Sequence, residues 1–256
     1  MPLPCLSRKR FLYQGADSSG LQATVLVVGL GALGSAAATV LDRAGLARLV
    51  LVDDDRVELS NLQRQTLFDD GDIGQPKVGS AARRLAADCT ALETRLDGAN
   101  AAELFSMADL VIDATDDPAA KWLINRTALA TATPYCHAGV VQDRGQVLAV
   151  VPGRSACLEC AFGSLDEPDG PDSGTNANCA DLGILAPVAG LLGSLEALAA
   201  VGFLTGDPSF RPGRMLSYEL GPRRWRHFDI EPVAGCICDP ARKQIPATGE
   251  QAACHS

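Results

Sequence analysis

The stretch TVLVVGLGALG, residues 24–34, sets the architecture. Four of its first five residues are β-branched, which marks Thr24–Val28 as a buried strand. The strand runs directly into Gly29-x-Gly31-x-x-Gly34, and an Ala-rich helical stretch continues to about Ala44. Strand, glycine turn and helix in that order make a phosphate-binding turn. The glycines let backbone N–H groups approach an anion at the helix N-terminus.

Downstream, Arg48–Val52 reads as a second strand and ends at Asp53-Asp54-Asp55. Asp53 lies nineteen residues beyond Gly34, where a carboxylate can bind a ribose hydroxyl. Residues 75–88 read as a helix with Pro76 in its first turn. Further strands are expected at 109–114, 135–141, 145–151, 215–220 and 224–230, and a helix at 117–130. Asp143-Arg-Gly145 reads as a hairpin turn. The early alternation of strands and helices predicts a doubly wound α/β sheet, parallel in its first half, with antiparallel trailing strands.

The domain expected from this pattern spans residues 21–240. A polar arm at 1–20 precedes it and a tail at 241–256 follows. Residues 162–181, rich in Gly, Pro, Asp, Ser and Asn, read as a long loop able to act as a lid. Ile184–Leu204 is apolar enough to suggest a membrane span. It carries Pro187 and Glu196 and lacks flanking basic anchors, so a buried core helix and no membrane partner are expected.

The 256 residues carry 22 Lys+Arg against 31 Asp+Glu, a net charge of −9. That balance argues against a nucleic-acid partner, which requires a cationic face. The N-terminus has no apolar signal region, so a cytoplasmic location is expected. The nine cysteines therefore read as metal-binding or reactive, not as a disulfide framework. Two close pairs, Cys157-x-x-Cys160 and Cys236-x-Cys238, suggest a Cys₄ zinc site. The second pair is one residue tighter than the usual spacing. Cys89 and Cys136 read as packing residues, and Cys179 lies in the long loop.

A nicotinamide dehydrogenase fits this pattern as far as Asp53. The residues beyond Asp53 favour a triphosphate with Mg²⁺. Arg64 stands in Ser60-Asn-Leu-Gln-Arg-Gln65, Lys77 opens a helix, and Asp113 and Asp116 close the strand at 109–114. Taken singly, Lys77 reads as a surface lysine and Asp116 as a helix N-cap. Together, two cations and one or two acids suit a polyphosphate and its metal.

These words resemble the ThiF/MoeB/HesA family, bacterial relatives of ubiquitin-activating enzymes. The matching segments are GLGALG (29–34), LVDDDRVELSNLQRQTLF (51–68), IGQPK (73–77), DLVIDATDD (109–117), CLEC (157–160) and LAPVAGLLGSLEALAA (185–200). The resemblance implies ATP- and Mg²⁺-dependent adenylation of a ubiquitin-like sulfur carrier with a Gly-Gly C-terminus. A ThiS-like carrier is favoured over a molybdopterin-type one, and a homodimer is implied. The contacts it implies are Gly29, Gly31, Ala32, Asp53, Asp55, Ser60, Asn61, Leu62, Gln63, Arg64, Lys77, Asp116 and Asp117. It further implies that Arg10 in the arm reaches a partner subunit's phosphates and that Cys179 joins sulfur transfer. Ala32 stands where many members have Gly, and Asp117 where the family has Asn. Rival readings are adenylation of another carrier or peptide, a non-catalytic binding protein on the same fold, and a dehydrogenase.

Overall fold

The computed structural model describes residues 18–164 and 183–239. Eight strands form one sheet in the order β3-β2-β1-β4-β5-β6-β7-β8. Here β1 is Thr24–Val28, β2 Arg48–Val52, β3 Asp88–Leu92 and β4 Leu110–Asp113. The later strands are β5 Tyr135–Val141, β6 Arg144–Val150, β7 Arg214–Glu219 and β8 Arg224–Asp229. The first five pair in parallel and the last three join them antiparallel.

The helices are α1 Ala32–Ala44, α2 Lys77–Arg84, α3 Ala101–Ser106, α4 Pro118–Thr131, α5 Leu158–Phe162 and α6 Ala186–Leu204. Successive residues of a strand point to opposite faces. Val25 and Val27 accordingly meet α1 and α6, while Leu26 and Val28 join the core under α3 and α4. Both faces of the parallel half are therefore covered, which is why its strands read as continuous apolar runs.

Two expectations need correction. The helix over 75–88 stops at Arg84, and Asp88 already begins β3. The cause is tertiary: the buried carboxylate of Asp42 accepts the backbone amides of Ala86 and Ala87 at 2.7 and 2.8 Å. Those N–H groups are drawn out of the helix register. The β5–β6 turn starts one position earlier than expected and is shorter, formed by Gln142-Asp143 with Gln142 at φ 54°. Arg144 and Gly145 are already paired with Val141 and Val140. Strand β3 and helix α3 give no clear signal in the sequence, because β3 is a half-exposed edge and α3 has only six residues.

Helix α6 is long and apolar enough to cross a membrane, the one such helix among the described residues. It packs along α1 and against β5 and β6, with Val188, Leu192, Glu196 and Ala200 buried. Its other side is less covered, and Leu198 is 63% exposed.

Candidate active site and cysteine cluster

At the C-terminal ends of the parallel strands lies a cavity of about 780 Å³. This is where open α/β sheets bind ligands, at the point where strand order reverses between β1 and β4. Gly29 turns the chain at φ 86°, and a Cβ there would meet the Ala114 carbonyl at 2.9 Å. Helix α1 begins at Ala32 with no side chain capping its N-terminus. A Cβ on Gly31 would meet nothing within 4 Å, so open space lies over the uncapped amides. That arrangement fits a phosphate group.

Asp53 closes β2 and holds the turn in place. Its Oδ2 accepts the Leu30 amide at 2.6 Å and its Oδ1 the Asp55 amide at 2.8 Å. Burial pushes its carboxyl up, with Lys77 and the two amides working against that rise. Lys77 is 3% exposed, so it is no surface lysine. Its Nζ reaches the exposed Asp55 carboxylate at 2.7 Å.

Asn61, Gln63 and Arg64 line the cavity, together with Gly29, Gly31, Ala32, Asp53, Asp55, Lys77, Asp116 and Asp117. Ser60 and Leu62 do not. Leu62 packs on the core, and Ser60 acts one step back. The Ser60 carbonyl accepts from Arg64 Nη1 at 3.0 Å, and its hydroxyl meets Glu58 and Asn61 at 3.1 Å each. Ser60 thus orients the guanidinium.

The N-cap of α4 is Asp117, not Asp116. Its Oδ1 accepts the Ala119 amide at 2.9 Å, and its Oδ2 pairs with Arg95. Asp117 therefore has structural work, while Asp116 stands exposed at the cavity wall. Arg10, Cys179 and residues 165–181 of the expected loop lie outside the described residues.

Sequence reasoning singled out Asp113 but missed the buried partners that surround it. Asp113 is fully buried and sits in register with His137 on the adjacent strand. His137 Nδ1 lies 2.7 Å from Asp113 Oδ2, Thr115 Oγ1 donates to Oδ1 at 2.7 Å, and Lys121 Nζ lies 3.3 Å from Oδ1. Burial would raise the Asp113 carboxyl, but Lys121 and His137 outweigh it and hold it at about 2. Burial, reinforced by Lys121, pushes the His137 ring down and keeps it neutral. A lone histidine on an apolar strand was the available signal, but only strand register supplies its partner.

The four cysteines converge well. Cys157, the residue before α5, and Cys160, one turn on, meet Cys236 and Cys238 beyond β8. Sulfur separations are 3.9 Å for 157–160, 3.6 Å for 157–236 and 3.3 Å for 160–238. The tight C-x-C pair thus brings both sulfurs to the cluster. Four soft thiols at these separations fit a tetrahedral metal ion.

A sequence model of the ThiF family matches residues 15–238. The sulfur carrier protein ThiS adenylyltransferase of Escherichia coli (strain K12) is 36% identical over 225 residues, covering 85% of this chain and 86% of that one. The SAMP-activating enzyme E1 of Haloferax volcanii is 36% identical over 212 residues, covering 80% of this chain and 76% of that one. The molybdopterin-synthase adenylyltransferase of Escherichia coli (strain K12) is 34% identical over 242 residues, covering 90% and 94%. Among solved structures, E. coli MccB with ATP superposes with a TM-score of 0.73 at 22% identity, over 86% of this chain and 68% of that one. That likeness supports the fold.

Proposed function

The chain belongs to the ThiF family, and from that premise we propose that it adenylates the C-terminal glycine of a small ubiquitin-like sulfur carrier at the expense of ATP. One observation carries the reading: a single cavity holds the glycine turn, Asp53, Arg64, Lys77 and Asp116. A hydride acceptor leaves Arg64 and a buried Lys77 without a purpose. The full complement of these residues also speaks against a decayed scaffold.

The sheet order divides the cavity. Ribose and phosphates lie over β1 and β2, by Asp53 and the turn, and the carrier tail enters over β4, β5 and β6. A tail carboxylate oxygen attacks the α-phosphorus, the bond to the bridging oxygen breaks, and pyrophosphate leaves. The product is an acyl-adenylate. The attacking group is already ionised, so no general base is needed. Its difficulty is repulsion: each like-charge pair at 4 Å costs about 4 kcal/mol at an effective dielectric near 20. Lys77 exchanges Asp55 for a phosphate oxygen, and Arg64, held by the Ser60 carbonyl, meets the polyphosphate as a planar fork. Asp116 would hold Mg²⁺, which would neutralise phosphate charge and orient the leaving group.

The cysteine cluster suits structural zinc. Thiolates at about 2.3 Å from zinc stand roughly 3.8 Å apart in a tetrahedron, close to the sulfur separations here. The apolar outward side of α6, with Leu198 63% exposed, supports a homodimer. Arg10 is proposed to reach the partner subunit's phosphates, and Cys179 to join sulfur transfer.

The test is ATP–pyrophosphate exchange with a panel of Gly-Gly-ended carriers, a ThiS-like one first. Exchange that depends on carrier and Mg²⁺ is expected. NAD(P)H binding tighter than ATP, with no exchange, would overturn the assignment.

A further inference from the structure

At the end of the cavity away from Asp53, strands β5 and β6 bring two polar side chains together over a glycine. Gly139 on β5 lies opposite Gln146 on β6. A Cβ on Gly139 would come within 2.8 Å of the Gln146 side-chain nitrogen and 3.7 Å of His137 Nε2. The Gln146 amide therefore packs directly over Gly139 with His137 Nε2 beside it, and all three residues line the cavity.

The chemistry of each edge depends on its neighbours. The ionised Asp113 can only accept, so His137 Nδ1 carries the ring proton. The neutral ring then presents Nε2 as a bare acceptor. Beside it, the Gln146 amide offers N–H donors. Among the described residues, neither Nε2 nor the Gln146 amide has a hydrogen-bond partner. An acceptor next to a donor complements one residue of an extended chain, whose own N–H and C=O point to the same side. It is ill suited to a phosphate, whose oxygens would face the lone pair of Nε2.

We propose that His137 and Gln146 clamp one residue of the incoming, extended carrier tail. His137 Nε2 accepts that residue's N–H, and the Gln146 side chain donates to its carbonyl. The clamp rests on the adenylation reading, since it takes the tail to enter over β5 and β6. Gly139 contributes by absence: a side chain there would displace the Gln146 amide from its place beside His137 Nε2. Neither residue transfers a proton. Both hold the tail so that its carboxylate points toward Asp116 and the phosphates. A short non-peptide carboxylate lacks the group that the clamp reads.

Semisynthetic carriers test this with the protein intact. In one the last peptide bond, and in another the penultimate one, is replaced by an ester, which removes the N–H and keeps the shape. With the wild-type protein, one of the two esters should bind about five- to tenfold more weakly than the amide carrier, the worth of one neutral hydrogen bond. The loss should appear in carrier Kd and KM, with the KM for ATP unchanged. In His137→Ala, amide and ester should bind alike. Should that variant fail to fold because Asp113 loses its partner, the wild-type ester series decides alone. Gln146→Ala should weaken every carrier and keep the amide–ester ratio. Equal binding of all three carriers to the wild-type protein would overturn the clamp, as would a His137→Ala protein that still discriminates. If the amide carrier binds but is not adenylated, the Kd ratio still decides the clamp, and only the adenylation reading falls.

Discussion

All four residues of β4 are buried, whereas all six of β8 are exposed. The two strands belong to one sheet and differ in what their connections bring. Each parallel crossover lays a helix on the sheet, so β1, β2 and β4 are sealed on both faces. The β7–β8 hairpin turns back directly and brings no layer. Its order rests on surface contacts, such as Arg214 with Asp229 at 2.6 Å and Tyr218 with Trp225 at 4.4 Å between ring centroids. Just past β8, Cys236 and Cys238 tie the chain to α5. Where apolar layers already hold the sheet, polar groups at its edge are free for chemistry. Where they do not, the thiol cluster supplies the anchorage.

Removing that anchor should have the largest effect. One zinc per chain is expected by elemental analysis. Chelation or Cys157→Ser should lower stability by about 5 kcal/mol or more, since metal binding is coupled to folding. Hydrogen exchange should show β7 and β8 opening before β1. A metal-free protein with an unchanged melting temperature would refute this contrast between the two ends of the sheet.

Next are two carboxylates three positions apart. Asp113→Asn leaves Lys121 and His137 without their buried charge and should cost about 3–5 kcal/mol. The carboxyl of Asp113 is held down, to about 2. Its contribution is therefore full above the ordinary value near 4 and lost as pH falls through about 2. Acid unfolding of Asp113→Asn should lack that segment. By contrast, Asp116→Ala should leave unfolding within about 0.5 kcal/mol of wild type, as for an exposed site. It should nevertheless reduce carrier-dependent exchange by about 10²–10³-fold, the scale of one lost charge-stabilising group. Near-normal exchange would move the metal role to another carboxylate.

The smallest effect concerns Glu196. It is fully buried in α6, and neither carboxyl oxygen has a hydrogen-bond partner among the described residues. Burial first, then the nearby Asp113, pushes its carboxyl well up. The folded state thus holds a proton that the unfolded chain releases above its ordinary value, so stability falls as pH rises past that point. Glu196→Gln should stabilise the protein more at pH 7.5 than at pH 5, read from paired melting curves. Equal shifts at both values would place the carboxyl in a more polar setting.

Much of the covered half was legible from local pattern. β-branched runs, the glycine turn and Asp53 at the end of the next strand are features of neighbouring residues, and their geometry obeys steric rules. The cysteine pairs were legible as types, since few other uses suit four such thiols. Strand β3 was not, because a half-exposed edge has no apolar rhythm.

Residue order alone was enough for the doubly wound parallel sheet, the phosphate turn, the cationic Arg64 and Lys77, and the two cysteine pairs. The remaining features came from the folded chain, because each joins groups far apart along it. Asp42 captures the amides of Ala86 and Ala87 across more than forty residues and ends α2 early. Register between β4 and β5 sets His137 against Asp113, and β6 brings Gln146 to Gly139. Packing around α5 converts a C-x-C pair of unusual spacing into a set of four sulfurs within 4.8 Å of one another. Local sterics can be read residue by residue, whereas a long-range hydrogen bond depends on register and burial that exist only once the sheet has closed.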